Sequence, residues 1–176
     1  MAETSAGVVR RYLEDAIAAE RSFETQLQGF AKEGDNAAAK QAFHQHALET
    51  KNQYERLTVR LESLGGSPSG AKSLLAHIFG LSPKTAQIGH EKEERTTQNL
   101  MMAFAVENSE LAMYEALASV AEAAGDSDTF ALARSIQKEE KATAEKIWQL
   151  LPDAALEAYG RLTGGSTGGY AGSTSA

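Results

Sequence analysis

The chain has 176 residues, a net charge of -7, a pI near 5.2 and 42% hydrophobic residues, with no cysteine. That length supports one domain with a sizeable core, and the apolar share fits a folded globular protein. The acidic balance repels phosphate backbones, so no nucleic-acid partner is expected. The absence of cysteine excludes disulfides, thiolate metal sites and thiol catalysis. No run of about 18 apolar residues is present, so no membrane span or membrane partner is expected. Met1 to Gly7 has neither a basic nor an apolar signal region, which makes a cytoplasmic location the expectation.

Ala, Leu, Glu, Lys and Gln are frequent, and all favour helix, so the expected class is all-α. The first helix is predicted from about Ala6 to Lys32 with Ser5 as N-cap. Its apolar stripe is Val9, Leu13, Ala16, Phe23, Leu27 and Phe30, with Glu20 between Ala16 and Phe23. Gly34 can end it, and Asp35 is the expected cap of a second helix reaching about Ser63. That helix carries Ala39, Phe43, His46, Gln53, Leu57 and Leu61 on one stripe, with Glu49 among them. Gly65 and Gly66 stop it.

Residues 64–83 are far longer than an antiparallel helix hairpin needs, and a short helix from Ala71 to Phe79 is predicted inside them. A bundle with one long crossover between its second and third helices has this connectivity. Ser82-Pro83 reads as the start of helical patterning that continues to about Ala124, with a break predicted at Gly89. The main part, His90 to Ala124, has Met102, Val106, Glu110, Met113, Ala116 or Leu117, and Val120 on its stripe. Ser127 is the expected cap of a fourth helix from Asp128 to Leu150, with Ala133, Ile136, Glu140, Thr143, Ile147 and Leu150 facing inward. Pro152 is expected to end it, leaving a short extra helix from Asp153 to Leu162. Residues 1–162 thus form the predicted bundle, and 163–176 read as a flexible Gly/Ser/Thr tail.

Glu20, Glu49, Glu110 and Glu140 each lie near the middle of a predicted helix, on its core stripe. In an antiparallel bundle midpoints meet at one height, so the four carboxylates could converge in the core. Buried glutamates need a partner or a metal. Four carboxylates neutralise two divalent ions, and oxygen ligands suit iron or manganese. The usual carboxylate-bridged site has Glu-x-x-His on two helices. Here Asn52 and Thr143 stand three residues after Glu49 and Glu140. His46 and Gln53 share the face of Glu49 and are candidate secondary ligands, as is Thr143. Glu24 and Glu107 are candidate substitutes for a missing ligand. His44 and His77 are read as surface or packing residues, and His90, with Glu93 and Glu94 at ligand spacing, as part of a surface ion pair. Tyr12, Tyr54 and Tyr114 could hydrogen-bond the carboxylates, and Trp148 could close the bundle or cover an interface.

The segments Tyr12-Leu13-Glu14-Asp15 and Ala19-Glu20-Arg21 resemble the first helix of the YciE/YciF-type ferritin-like family. His46-Ala47-Leu48-Glu49-Thr50-Lys51-Asn52-Gln53-Tyr54-Glu55-Arg56-Leu57 closely resembles its second helix. Val106-Glu107-Asn108-Ser109-Glu110-Leu111-Ala112-Met113-Tyr114 and Glu139-Glu140-Lys141-Ala142-Thr143-Ala144-Glu145-Lys146 resemble the third and fourth. Glu24 departs from the pattern, which usually has an apolar residue there. The resemblance implies a ferritin-like bundle that pairs into a homodimer, a place in bacterial stress responses and ferroxidase-type activity.

Two functions of different class stay open on the sequence. One is a di-iron or di-manganese oxidoreductase that oxidises Fe(II) or consumes peroxide. The other is a metal-free helical bundle that acts through self-association or a protein partner, its glutamates paired with lysines. An iron-storage cage and DNA protection are less supported, because no cage interface is visible and the tail contains no lysine.

Overall fold

The structure, a computed structural model, describes residues 4–68 and 89–165. Four helices are present among them: α1 (Ser5–Phe30), α2 (Ala37–Ser63), α3 (Arg95–Ala123) and α4 (Ser127–Thr163). No described helix is long and apolar enough to cross a membrane. The short helix expected at Ala71–Phe79, the helix start at Ser82-Pro83 and nearly all of the Gly/Ser/Thr tail lie outside the described residues.

Each cap falls one residue from the expected one. The Thr4 hydroxyl accepts the Gly7 N–H at 3.1 Å, Asn36 Oδ1 accepts the Ala39 N–H at 2.9 Å, and Asp126 Oδ1 accepts the Thr129 N–H at 3.0 Å. The capping side chain must reach the amide three residues on while its own backbone stays outside the helix, and these three do so. Gly89 has a φ of +85°, in agreement with the expected break. The turn Lys92–Glu94 that follows is 3-10, and the Glu91 N–H donates to Glu94 Oε2 at 2.9 Å. Regular α-helix therefore begins at Arg95 rather than His90. His90 pairs with Glu94 at 3.2 Å on the surface, as its sequence context suggested.

α1 and α2 form one hairpin and α3 and α4 the other; α1 packs on α3 and α2 on α4. The α1–α2 turn sits close to the start of α3. Gly34 has a φ of +69°, and a Cβ there would lie 2.2 Å from Thr96 Oγ1, so both backbone and space require glycine.

Two apolar layers fill the interior. Phe23, Leu27, Phe30, Phe43, Leu100, Val106 and Ile147 form one. Val9, Leu13, Ile17, Leu57, Leu61, Leu117 and Ile136 form the other. Burying each such side chain stabilises the fold by about 1.5–3 kcal/mol. Each helix crosses from one layer to the other through a polar stretch. Glu20 lies between Ile17 and Phe23, Glu110 between Val106 and Leu117, and Glu140 between Ile136 and Ile147.

Pro152 does not end α4, contrary to expectation; the helix runs through it to Thr163, so the extra C-terminal helix is a continuation of α4. Proline fits helical φ and loses only its own N–H bond plus a clash with the preceding turn. Tertiary contacts outweigh that cost here. Ala154 and Ala158 are buried, Glu157 accepts from Asn36 at 2.8 Å, and Arg161 donates to Asp35 at 2.9 Å. These bonds tie the last turns of α4 to the α1–α2 turn.

Candidate metal centre

Helical spacing delivers five ionisable groups to the layer between the two apolar clusters. α1 contributes Glu20, α2 His46, α3 Glu107 and Glu110, and α4 Glu140; all five are buried. Glu107 and Glu110 are three residues apart and so share a face. His46, Glu107 and Glu140 each offer a ligand atom, and these atoms lie within 4.8 Å of one another.

Few donors serve these acceptors. His46 Nε2 meets Glu107 Oε1 at 2.5 Å, and the Tyr114 hydroxyl donates to Glu20 Oε1. Glu20 Oε2, Glu107 Oε2 and both oxygens of Glu110 and Glu140 are buried with no hydrogen-bond partner. So are His46 Nδ1, Thr50 Oγ1 and Gln53 Oε1. An unsatisfied buried polar group costs about 1–3 kcal/mol, and a charged one more, so six orphaned carboxylate oxygens in one layer imply something that neutralises them.

The protonation tendencies have the same origin. Burial pushes the Glu20 carboxyl up to about 8, opposed by the Tyr114 bond and reinforced by Glu107. Burial, then repulsion from Glu20 and Glu107, raises Glu110 well above the carboxylate range. Burial with Glu20, Glu110 and Glu107 nearby does the same to Glu140. Burial also raises the Tyr114 phenol. For His46, burial favours the neutral ring, but Glu107 and then Glu49 outweigh it and lift the imidazolium to about 9.

The expected residues do not all converge. Glu20, Glu110 and Glu140 lie in the core. Glu49 does not: its side chain is 35% exposed at the edge of α2, 3.9 Å from His46 Nδ1 and accepting from Gln45 at 3.1 Å. His46, foremost, with Gln45 and Lys146 holds the Glu49 carboxyl at about 2, against its partial burial. The inward stripe of α2 passes instead through His46, Thr50, Gln53 and Leu57. Gln53 is buried and donates to Glu139 at 3.3 Å; Thr143 is buried beside Glu140 on α4. Glu24 lies at the surface edge of α1, accepting from Gln28 at 2.9 Å. Asn52 is exposed. Of the tyrosines, Tyr114 reaches a carboxylate, whereas Tyr54 lies under Arg21, 5.2 Å from guanidinium to ring centre.

Sequence reasoning underweighted Glu107 and His46 and missed Thr50. The signal was available, since 46, 50, 53 and 57 follow the four-three-four spacing of an inward face as well as the set containing Glu49 does.

The donor chemistry suits a divalent ion at His46, Glu107 and Glu140, with Glu20 and Glu110 in the same buried layer. The set combines four carboxylates and one imidazole, enclosed between apolar layers, with oxygens that no protein donor occupies.

Comparison with known proteins agrees with this architecture. Residues 9–159 match the family described as "Domain of unknown function (DUF892)". Protein YciF of Escherichia coli is 30% identical over 141 residues, covering 78% of this chain and 84% of that protein. The crystal structure of the E. coli stress protein YciF superposes with a TM-score of 0.77 at 28% identity, covering 88% of this chain and 98% of that one. A protein of Xanthomonas campestris shares the fold at a TM-score of 0.75 and 23% identity, over 91% of this chain and 99% of its own. So does the DPS protein of Vibrio cholerae, described as a member of a broad superfamily of ferritin-like diiron-carboxylate proteins, with a TM-score of 0.58, 13% identity, and 84% and 91% of the two chains covered. The chain belongs to the DUF892 family, the YciF type of ferritin-like four-helix bundle.

Proposed function

We propose that this protein is a cytoplasmic, ferritin-like stress protein that binds a dinuclear iron or manganese centre and oxidises Fe(II) or consumes peroxide. The observation that carries the reading is the layer of orphaned carboxylate oxygens on Glu20, Glu107, Glu110 and Glu140, with His46 beside them. When bound, a pair of such ions supplies the electrons that reduce dioxygen or peroxide, with external Fe(II) as the replenishing substrate. The chain does the rest. Tyr114 fixes the Glu20 carboxylate by its hydrogen bond, and Glu107 fixes the His46 ring. The two apolar layers exclude water and hold the ligand rotamers. Four carboxylates offset the charge of two divalent ions, which removes much of the burial penalty of both.

The test is elemental analysis after anaerobic loading with Fe(II) or Mn(II) and desalting, with Glu140→Ala alongside. Two ions per chain, lost or halved in the variant, supports the centre. No retained ion under either loading leaves the second reading, a metal-free bundle that acts as a homodimer or on a protein partner. That reading is favoured by Trp148, which is exposed and lies 5.2 Å from the Phe104 ring on the outer face of α3 and α4. The glutamate–lysine pairing it requires is not found at the centre, where Glu110 and Glu140 have no hydrogen-bond partner.

A further inference from the structure

The buried centre poses a question of access. An ion must cross from solvent to carboxylates that lie wholly inside the bundle. α2 answers it by placing two potential ligands in series. Glu49 is one-third exposed, and its Oε2 faces the outer ring nitrogen, His46 Nδ1, at 3.9 Å. That nitrogen is buried and has no hydrogen-bond partner. The other ring nitrogen of His46 touches Glu107, and Glu107 and Glu140 lie within one ligand-to-ligand span of it. The spacing from Glu49 through His46 to Glu107 is thus one short hop at each step, from the surface to the core.

Among the described residues, the surface carboxylates next to the centre on α4 and α1 are engaged with other side chains. Glu139, next to Glu140 on α4, is occupied by Arg56 at 3.0 and 2.5 Å and by Gln53 at 3.3 Å. Glu24 on α1 is engaged with Gln28. Glu49 has one oxygen oriented by Gln45 and turns the other, Oε2, toward His46.

We propose that Glu49 is the uptake residue of the centre: it takes a divalent cation from solvent and passes it by way of His46 to Glu107 and Glu140, without remaining a ligand. The proposal rests on the metal-centre reading above. It also explains why a carboxylate expected in the core stands at the helix edge.

A residue on the path that is not a final ligand alters binding and release by the same factor and leaves affinity unchanged. A final ligand alters affinity and stoichiometry. The experiment uses Co(II) as probe, with uptake followed by stopped-flow visible absorption, release followed into excess EDTA, and stoichiometry measured by elemental analysis. The full chain is compared with Glu49→Gln, whose amide oxygen can still accept from Gln45. Glu55→Gln serves as control, because it makes the same charge change on the exposed face of the same helix, where Glu55 pairs with Lys51 at 4.0 Å. Circular dichroism checks that both variants are folded.

The expected result is that Glu49→Gln slows uptake and release together by about tenfold or more, the scale of electrostatic focusing at a charged mouth, with stoichiometry and Kd unchanged. Glu55→Gln leaves both rates at the wild-type value. Weakened Kd or lost Co(II) in Glu49→Gln overturns the proposal in favour of a resident ligand. Unchanged rates, or equal slowing in Glu55→Gln, overturn it in favour of another route or of general surface charge. A wild-type chain that retains neither Co(II) nor Fe(II) nor Mn(II) overturns the metal-centre reading, and unchanged Glu49→Gln rates in a chain that does bind Co(II) overturn this inference alone.

Discussion

Carboxylates leave water in two regions of this bundle, and the regions treat them differently. At the end where α2 meets α4, Arg60 donates to Asp126 at 2.5 Å, Thr129 at 2.8 Å and Ser63 at 3.1 Å. Asp126 also accepts both the N–H and the hydroxyl of Thr129, at 3.0 and 2.7 Å. Donors and acceptors balance there, and the cluster is a structural cap. In the middle of the bundle four buried carboxylates face one imidazole and one phenol, and six of their oxygens have no partner. The first arrangement is complete in the folded chain. The second is complete only with cations or protons, which is what separates a ligand set from a structural network.

The largest expected effect follows from that difference. Saturating Fe(II) or Mn(II) under anaerobic conditions should raise the melting temperature. At about 100 times Kd the stabilisation is roughly 2.7 kcal/mol per site, or several degrees each. Glu140→Ala should lose most of the increment, whereas Asp126→Ala should keep it in full. An equal increment in both variants would break the distinction between the two regions.

The metal-free chain should then show opposite pH trends in the two places. Glu20 is lifted by burial to about 8, so the folded state holds a proton that the unfolded chain releases near 4.5. Its contribution is fully present below the unfolded value and is lost as pH rises through 8. Removing a carboxylate should relieve part of this. Glu110→Leu is expected to stabilise the metal-free protein by about 1–4 kcal/mol, because an apolar group replaces an unpaired buried acid. The same variant should bind fewer ions. Urea melts at pH 6 and pH 8.5 measure both effects, and a destabilised Glu110→Leu chain would mean that the carboxylate has a structural partner after all.

The bundle was readable from apolar spacing. The stripes through Leu13 and Phe23, Phe43 and Leu57, and Ile136 and Ile147 are all buried as expected, because burial of large side chains dominates the choice of face. The polar layer was harder. Glu20, Glu110 and Glu140 each have a buried apolar residue three or four positions before them (Ala16 and Ile17, Val106, Ile136), and those neighbours fix their direction. Glu49 lacks that constraint: Thr50, one residue on, fits the same inward spacing, and a small hydroxyl beside His46 lets the longer glutamate turn outward. The failure at Pro152 is of another kind. Local propensity argued for an end, and contacts with Asn36 and Asp35, more than a hundred residues away in sequence, decided otherwise.

A smaller effect is expected at the balanced end. Asp126→Ala should destabilise by about 1–2 kcal/mol, the usual range for losing an N-cap. Partial burial acts to raise the Asp126 carboxyl, but Thr129 and Arg60 outweigh it and hold it below its ordinary value of 3.8. Its stabilisation is therefore present above that value and is lost as pH falls through the lower, folded-state value. Thermal melts of wild type and Asp126→Ala should converge at the acid end and separate toward neutrality, the reverse of the trend set by Glu20. Asp126→Asn, which keeps a capping oxygen, should recover part of the loss.

Pro152→Ala should have the smallest effect. Proline costs the helix one N–H bond, about 0.5–1.5 kcal/mol net, plus a clash with the preceding turn, and in return restricts the unfolded chain by about 0.4–1 kcal/mol. Pro152 is exposed, so no packed contact is lost with the ring. Alanine restores an N–H that can reach the Trp148 carbonyl four residues back, and a net gain of about 1 kcal/mol is expected by urea titration. The sign also reports on the bundle end. If the bend that proline favours is what brings Ala154, Ala158 and Arg161 onto the α1–α2 turn, a straighter α4 would pull Arg161 from Asp35 and Glu157 from Asn36. Stability would then fall, and Asp35→Ala would have no further effect in the Pro152→Ala background. A gain with the Asp35 effect intact would show that the proline is tolerated by the long-range contacts and not required by them.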